Sequence, residues 1–197
     1  MKTKMFCAVV RVSTLLVLIV PVWANAQDML TMCSTCHGED GMGISSNIPI
    51  IAGVPAIVQE DALFAYADGA RNCVSSPMMC KLASDLTEEQ IVELSAHFAE
   101  LPYQAAGEEF DVALAEAGKK VHENGCAICH GADDPSEADA NMGASILHGQ
   151  PKDYLRYALQ LYATGERSQL PMMEKMLTPL SSDEIEALLN YYASYRN

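Results

Sequence analysis

Two stretches of the chain repeat one pattern of polar and apolar positions. Thr87 with Gln90, and Ser181 with Glu184, each place a hydroxyl residue three positions before a Gln or Glu, the sequence form of a helix capping box. Beyond the first box Ile91, Leu94, Phe98 and Leu101 recur at helical spacing, and beyond the second Ile185, Leu188, Leu189 and Tyr192 do the same. A helix is predicted to run into the segment 126–130, with Phe110, Leu114 and Val121 on one side, and shorter helices at 58–67 and 152–163. No alternation of apolar and polar residues lasts long enough for a sheet, so the chain reads as all-α. The first residues follow another rule. Lys2, Lys4 and Arg11 precede or open an apolar run over 12–22, and Ala24-Asn25-Ala26 then supplies the small-x-small pattern of a cleavage site. This predicts a cleaved export signal over 1–26. An uncleaved anchor is the alternative, but the run is shorter than the roughly 20 residues a bilayer span needs. Cys7 stands at the front of the run, poorly placed for lipidation.

The rest of the chain is written twice. Cys33-Ser34-Thr35-Cys36-His37 recurs as Cys126-Ala127-Ile128-Cys129-His130 at an offset of 93 residues. Asp68-Gly69-Ala70-Arg71 answers to Thr164-Gly165-Glu166-Arg167 at 96, Pro77-Met78-Met79 to Pro171-Met172-Met173 at 94, and Leu86-Thr87 to Leu180-Ser181 at 94. Four landmarks in one order at a near-constant offset predict two copies of one domain, over 27–103 and 112–197, joined by a short linker at 104–111. Domains of this size have little core and commonly need a staple or a bound group.

Charge narrows the choice of partner. The full chain carries −14, and loss of the signal, which takes three of the 12 Lys+Arg and none of the 26 Asp+Glu, leaves −17. This argues against nucleic acid and anionic lipid as partners and favours a basic or mixed-charge protein, with simple solubility as the alternative. Cysteine usage narrows the chemistry. Once Cys7 leaves with the signal, Cys33, Cys36, Cys73, Cys80, Cys126 and Cys129 remain, in a compartment where disulfides persist.

A lone Cys-x-x-Cys has several uses, among them a disulfide, a redox pair or half a zinc site. A His directly after the second Cys is the signature of covalent haem c attachment: the two thiols add to the two vinyl groups, and the next residue presents an imidazole to the iron. Zinc stays open for one copy and is disfavoured by the presence of two. The predicted cofactors are two covalently bound haem c groups, on Cys33 and Cys36 with His37, and on Cys126 and Cys129 with His130. A neutral thioether as second axial ligand raises the potential and suits an electron carrier. Met79 and Met173 lie 42 and 43 residues beyond their histidines, each seven residues before the Leu that opens the capping box, and this selects them over Met78 and Met172. Met176 also lies close to Met173. The ligand is expected on a loop before the last helix of each copy. With both axial positions filled no open site remains for a substrate, so the reading is a carrier rather than an enzyme.

These residues resemble the class I cytochromes c, and within them the two-haem cytochrome c4 family, over nearly the whole length after the signal. The resemblance implies two tandem class I cytochrome c domains, each wrapped around one covalent haem. It also implies that a proline carbonyl accepts a hydrogen bond from the ligating imidazole. Asn47-Ile48-Pro49 with Ala52-Gly53 matches that loop, whereas Ser145 stands in the place of Pro49 in the second copy. A narrower resemblance, to the cytochrome subunit of flavocytochrome c sulfide dehydrogenase, rests on Tyr103-Gln104-Ala105-Ala106, Phe110-Asp111, Leu114-Ala115 and Gly118, and on His148-Gly149-Gln150-Pro151 through Tyr154-Leu155 to Pro171-Met172. It implies a periplasmic subunit that takes electrons from a flavoprotein oxidising sulfide and hands them to a small soluble acceptor. The alternative is a free two-haem shuttle to a terminal oxidase. A haem peroxidase is a third class, and the paired methionines argue against it. Any flavin must come with another chain.

Cys73 and Cys80 enclose Met79 and have no counterparts in the second copy; a disulfide holding the Met79 segment is the hypothesis, with free thiols or a metal held by Cys73, Cys80 and a Met as alternatives. Arg71 and Arg167 are candidate partners of haem propionates. His97 reads as a surface or packing residue, His122 as structural rather than a ligand, and His148 as a loop residue near the second haem, with a propionate contact as the alternative.

Overall fold

A computed structural model describes residues 23–197. The predicted export signal falls largely outside the described residues. The chain is helical, and the described residues form no strand, only an isolated antiparallel bridge between Arg71 and Arg167. No described helix is long and apolar enough to cross a membrane.

One order of elements occurs twice. In the first half α1 (Trp23–His37) ends on the first Cys-x-x-Cys-His, followed by α2 (Ala56–Ala67), α3 (Pro77–Ser84) and α4 (Glu88–Glu100). In the second, α5 (Val112–Val121) leads to α6 (Ala127–His130), followed by α7 (Lys152–Ala163), α8 (Pro171–Leu177) and α9 (Ser182–Ala193). Both capping boxes are made: Thr87 Oγ1 accepts from Gln90 N–H at 3.3 Å and Ser181 Oγ from Glu184 N–H at 3.3 Å, while the Gln90 and Glu184 side chains accept from the cap N–H groups at 2.9 and 2.8 Å. Asp111 caps α5 through the N–H of Leu114, so Phe110 lies outside the helix, beneath the Arg196 guanidinium.

The helix expected to run unbroken into the second cysteine pair is interrupted. A wide π turn over His122–Cys126 separates α5 from α6, with Gly125 off helical dihedrals. A Cβ on Gly125 would sit 2.5 Å from the Met176 sulfur, so the Met176 thioether of α8 packs against the bare backbone of this turn. The methionine pairs also depart from expectation. They open short helices, α3 and α8, with Pro77 and Pro171 at the first position, where a missing N–H costs nothing and the fixed φ suits a helix.

Each half packs its last helix against the helix that carries or leads into its cysteines, α4 on α1 and α9 on α5. Ile91, Leu94 and Phe98 are buried on α4, and Leu188, Leu189, Tyr191 and Tyr192 on α9. At roughly 1.5–3 kcal/mol for each fully buried large apolar side chain, these faces dominate the local stability. Where α5 crosses α9, a Cβ on Gly118 would lie 2.1 Å from the Ala187 carbonyl oxygen, so only glycine fits.

The halves are joined along a buried seam. Gln150 accepts from Ile50 N–H at 2.9 Å and donates to Ile50 C=O at 2.8 Å, with Ile50 1% and Gln150 3% exposed. Val54 and Val58 pack on Ile146, with Tyr103 beside them. Around the Arg71–Arg167 bridge, Asn72 N–H donates to Glu166 C=O at 3.1 Å, and the Ser75 hydroxyl donates to the Glu166 carboxylate.

Candidate haem sites

Helix α1 delivers two thiols and an imidazole from its last turns, whereas in the second half Cys126 ends the π turn and Cys129 and His130 follow on α6; in both, the Cys-x-x-Cys-His spacing on helical backbone places the sulfurs and the ring on neighbouring faces. Cys33, Cys36, Cys126 and Cys129 are all unbridged and half-buried. Burial raises the Cys33 and Cys126 thiols above the ordinary range.

The two histidines make the same contact in both halves. His37 Nδ1 is 3.1 Å from the Pro49 carbonyl oxygen and His130 Nδ1 is 2.8 Å from that of Ser145. A carbonyl only accepts, so Nδ1 carries the proton and Nε2 keeps a free lone pair, the form of the ring that can ligate a metal. Burial pushes both imidazoles below their ordinary pKa, against the pull of the carbonyls in the other direction, and so keeps them neutral. Ser145 can stand where Pro49 stands because the bond is made by the backbone.

Each methionine pair divides in the same way. Met78 and Met172 are exposed at 63% and 61%, whereas Met79 and Met173 are partly buried. Met79 packs beside Tyr66, Cys80 and Ala83. Met176 instead faces Gly125 in the turn before the second cysteine pair. A disulfide joins Cys73 to Cys80, tying the segment before α3 to the residue after Met79. In the second half Gln169 and Glu174 occupy those places.

Between the halves, Arg71 stacks on Tyr66 at 4.7 Å and Arg167 on Tyr162 at 5.2 Å. Burial alone would raise the Tyr66 phenol, but Arg71 and Arg167 outweigh it and lower its pKa. Arg167 is 5% exposed and its Nε has no hydrogen-bond partner. An unpartnered buried guanidinium donor fits an anionic group such as a haem propionate. With four unbridged thiols, two imidazoles with free Nε2 and inward methionines, the residues fit haem c. Among the described residues no group of three or more His, Cys, Asp or Glu gathers as a metal site of another kind.

Sequence reasoning passed over a polar cluster beside the second motif. His122 is fully buried, with Nδ1 2.9 Å from the Tyr192 hydroxyl and Nε2 2.6 Å from the Gly131 carbonyl oxygen. His148 is 2% exposed, lies edge-on to His122, Tyr191 and Tyr192, and leaves both ring nitrogens unpartnered. Burial, with His122 adding to it, lowers the His148 pKa to about 4. Alignment of the two copies carried a signal for this cluster. Met29, Ala52 and Phe98 of the first half stand where His122, His148 and Tyr192 stand in the second.

The cytochrome c family model matches residues 115–195. A thiosulfate dehydrogenase electron acceptor from Stutzerimonas stutzeri is 31% identical over 178 residues, covering 82% of this chain and 78% of the relative. The chain belongs to the cytochrome c family. As such it binds haem c covalently and transfers electrons, and it is not an enzyme in its own right. The cytochrome c4 structure from Acidithiobacillus ferrooxidans superposes with a TM-score of 0.73 over 84% of this chain and 99% of that one, at 24% identity, which establishes the two-domain cytochrome fold. The thiosulfate dehydrogenase from Marichromatium purpuratum gives 0.65 at 27% identity, covering 82% of this cytochrome and 36% of that longer chain.

Proposed function

We propose that this cytochrome carries two haem c groups, one per half, and serves as the exported electron acceptor of a periplasmic dehydrogenase that oxidises an inorganic sulfur compound. The observation that carries the two-haem reading is the duplicated imidazole–carbonyl bond, His37 to Pro49 and His130 to Ser145. Cys33 and Cys36 would anchor the first group, with His37 and Met79 as axial ligands, and Cys126 and Cys129 the second, with His130 and Met173. The iron of each bound haem supplies a one-electron couple. The residues around it hold the imidazoles neutral, present thioether sulfur and exclude water. Arg71 and Arg167 balance propionate charge at the seam, where the halves meet. The proposed domains span 27–103 and 112–197 with a linker at 104–111, a division supported by the helix-free stretch between α4, which ends at Glu100, and α5, which begins at Val112.

Similarity to a thiosulfate dehydrogenase electron acceptor supports thiosulfate oxidation as the donor reaction. The motifs shared with the flavocytochrome c subunit support a flavoprotein sulfide dehydrogenase instead, and the likeness to cytochrome c4 supports a free shuttle to a terminal oxidase. Stopped-flow mixing separates the three. Reduction of both haems by thiosulfate dehydrogenase with thiosulfate, at a rate that falls as salt rises, is the expected result. Reduction only by a co-purifying flavoprotein with sulfide would replace the donor. Inertness toward both dehydrogenases, with rapid oxidation by a terminal oxidase, would make the chain a free shuttle.

A further inference from the structure

The two halves reach one imidazole geometry over loops of different length. The accepting carbonyl lies 12 residues beyond the histidine in the first half and 15 in the second. The first loop is stiffened by Pro49 at the accepting position, and its turn is held by backbone bonds, Gly43 N–H to His37 C=O at 2.7 Å and Ile44 N–H to Cys36 C=O at 3.0 Å. The second loop is longer, keeps the counterpart backbone bond, Asp139 N–H to Cys129 C=O at 2.8 Å, and has Ser145 rather than a proline at the accepting position.

Three side chains grip that loop where it leaves the axial histidine. His122 Nε2 is 2.6 Å from Gly131 C=O, so Nε2 bears the proton. His122 Nδ1 therefore accepts from the Tyr192 hydroxyl at 2.9 Å, which gives a directed chain from Tyr192 through His122 to the carbonyl one residue past His130. Tyr191 donates to the next carbonyl, Ala132, at 2.7 Å, with Asp133 Oδ1 2.9 Å from the same hydroxyl. Both tyrosines stand on α9, whose Leu188 and Leu189 are 1% and 0% exposed, so the grip is referred to the most buried helix of the half. The matching positions of the first half are Met29, His97 and Phe98, which make no such bonds: His97 is exposed, and Met29 and Phe98 have no polar side-chain atom to offer.

We infer that His122, Tyr191 and Tyr192 form a positioning clamp that fixes the loop after His130 and thereby aims the His130 imidazole, doing for the second haem what Pro49 does for the first. The inference rests on the proposed attachment of a haem to Cys126 and Cys129. The clamp acts through the ring orientation of His130 and its bond to Ser145. A firm bond there makes the imidazole more basic and favours the ferric state. Loosening the clamp weakens that bond and raises the potential of the second haem alone.

The test uses the full-length haem-loaded chain. Redox titration and electron paramagnetic resonance follow the two haems separately in His122→Phe, Tyr192→Phe and His122→Gln. Tyr192→Phe deletes one oxygen atom and keeps the ring, so it holds the test together if His122→Phe fails to fold. The expected result is a raised second potential and an altered second low-spin ferric signal in His122→Phe and Tyr192→Phe, with the first haem unmoved. His122→Gln, whose amide can donate to Gly131 C=O and accept from Tyr192, returns the second haem toward its original behaviour. Two haems with unmoved second potential and signal in the Phe variants, or equal movement of both haems, would overturn the clamp and leave the proposed function standing. Wild-type protein with no haem on Cys126 and Cys129 would overturn both.

Discussion

The halves of this cytochrome hold their histidines to matching carbonyl bonds by unlike means. In the first, α1 runs unbroken to His37, proline and backbone bonds shape the loop, and a disulfide braces the methionine segment. In the second, the helix is broken before Cys126, the loop is longer and acidic, and His122, Tyr191 and Tyr192 add side-chain bonds to the loop's backbone bonds. The imidazole–carbonyl distances still fall within 0.3 Å of each other, 3.1 and 2.8 Å. A duplicated site is thus held to the geometry its ligand needs, while the supports around it are free to diverge. The first half relies on covalent and backbone stiffness, which pH hardly touches. The second adds a neutral buried imidazole, His122, which acid can charge.

The largest break in the comparison is expected at Gly118. A methyl group there meets backbone at 2.1 Å, which no rotamer can relieve, so Gly118→Ala should prise α5 from α9. Overpacking costs about 1–3 kcal/mol where side chains can shift and more where, as here, the obstacle is backbone, so the loss outweighs the roughly 1 kcal/mol that alanine gains over glycine in a helix. Thermal unfolding followed at each haem should show the second half melting earlier and the first little changed.

Gln150→Leu comes next. It strands the buried N–H and C=O of Ile50, the residue after Pro49, at about 1–3 kcal/mol for each group. Chemical denaturation should show a lower midpoint, and the disturbance should reach the first haem although the mutation lies in the second half. Gln150→Glu, which keeps the acceptor for Ile50 N–H but sets a buried carboxylate oxygen against Ile50 C=O, should be no milder.

The His148 prediction concerns acid. Its folded pKa, about 4, lies below the 6.5 of an unfolded histidine, so the unfolded chain binds the extra proton first. The associated stability is fully present above pH 6.5 and is lost as pH falls toward 4, at most about 3 kcal/mol. Facing His148 are His122, His130, Asp133 and Asp134, of which the two histidines work against its charge and the two carboxylates favour it. Denaturation midpoints measured across this window should slope in the wild type and flatten in His148→Phe, with the slope confined to signals from the second half.

The disulfide gives the smallest effect on stability. Its short loop contributes about 2 kcal/mol of chain entropy, so Cys73→Ser with Cys80→Ser should lower the midpoint modestly. Its sharper use is in ligation. Weakening of the sulfur-to-iron band of the first haem, with that of the second intact, is the expected spectrum, and equal bands from both haems would remove the brace from the account.

Much of this was legible in the sequence where the cause is local. Both capping boxes formed, and the helix expected at 152–163 occupies those residues, because caps and helical periodicity need no knowledge of the rest of the chain. What stayed hidden depends on distant residues. The π turn before Cys126 answers to Met176 on α8, and the reach of Gln150 to Ile50 spans 100 positions. His122 reads as a packing histidine until Tyr192 and Gly131 are seen on either side of it. The helices that carry Met79 and Met173 were within reach, since Pro77 and Pro171 are helix-opening prolines. For the site, the sequence motif named the thiols and imidazoles, whereas the supports that tell the halves apart needed the fold.

Intact-mass spectrometry of the chain isolated from the exported fraction, with peptide mapping of the attachment points, bears most directly on the central claim. Two haem masses on one chain, at Cys33 with Cys36 and at Cys126 with Cys129, is the predicted result. One haem or none, or either cysteine pair recovered as a disulfide in the native protein, would contradict it.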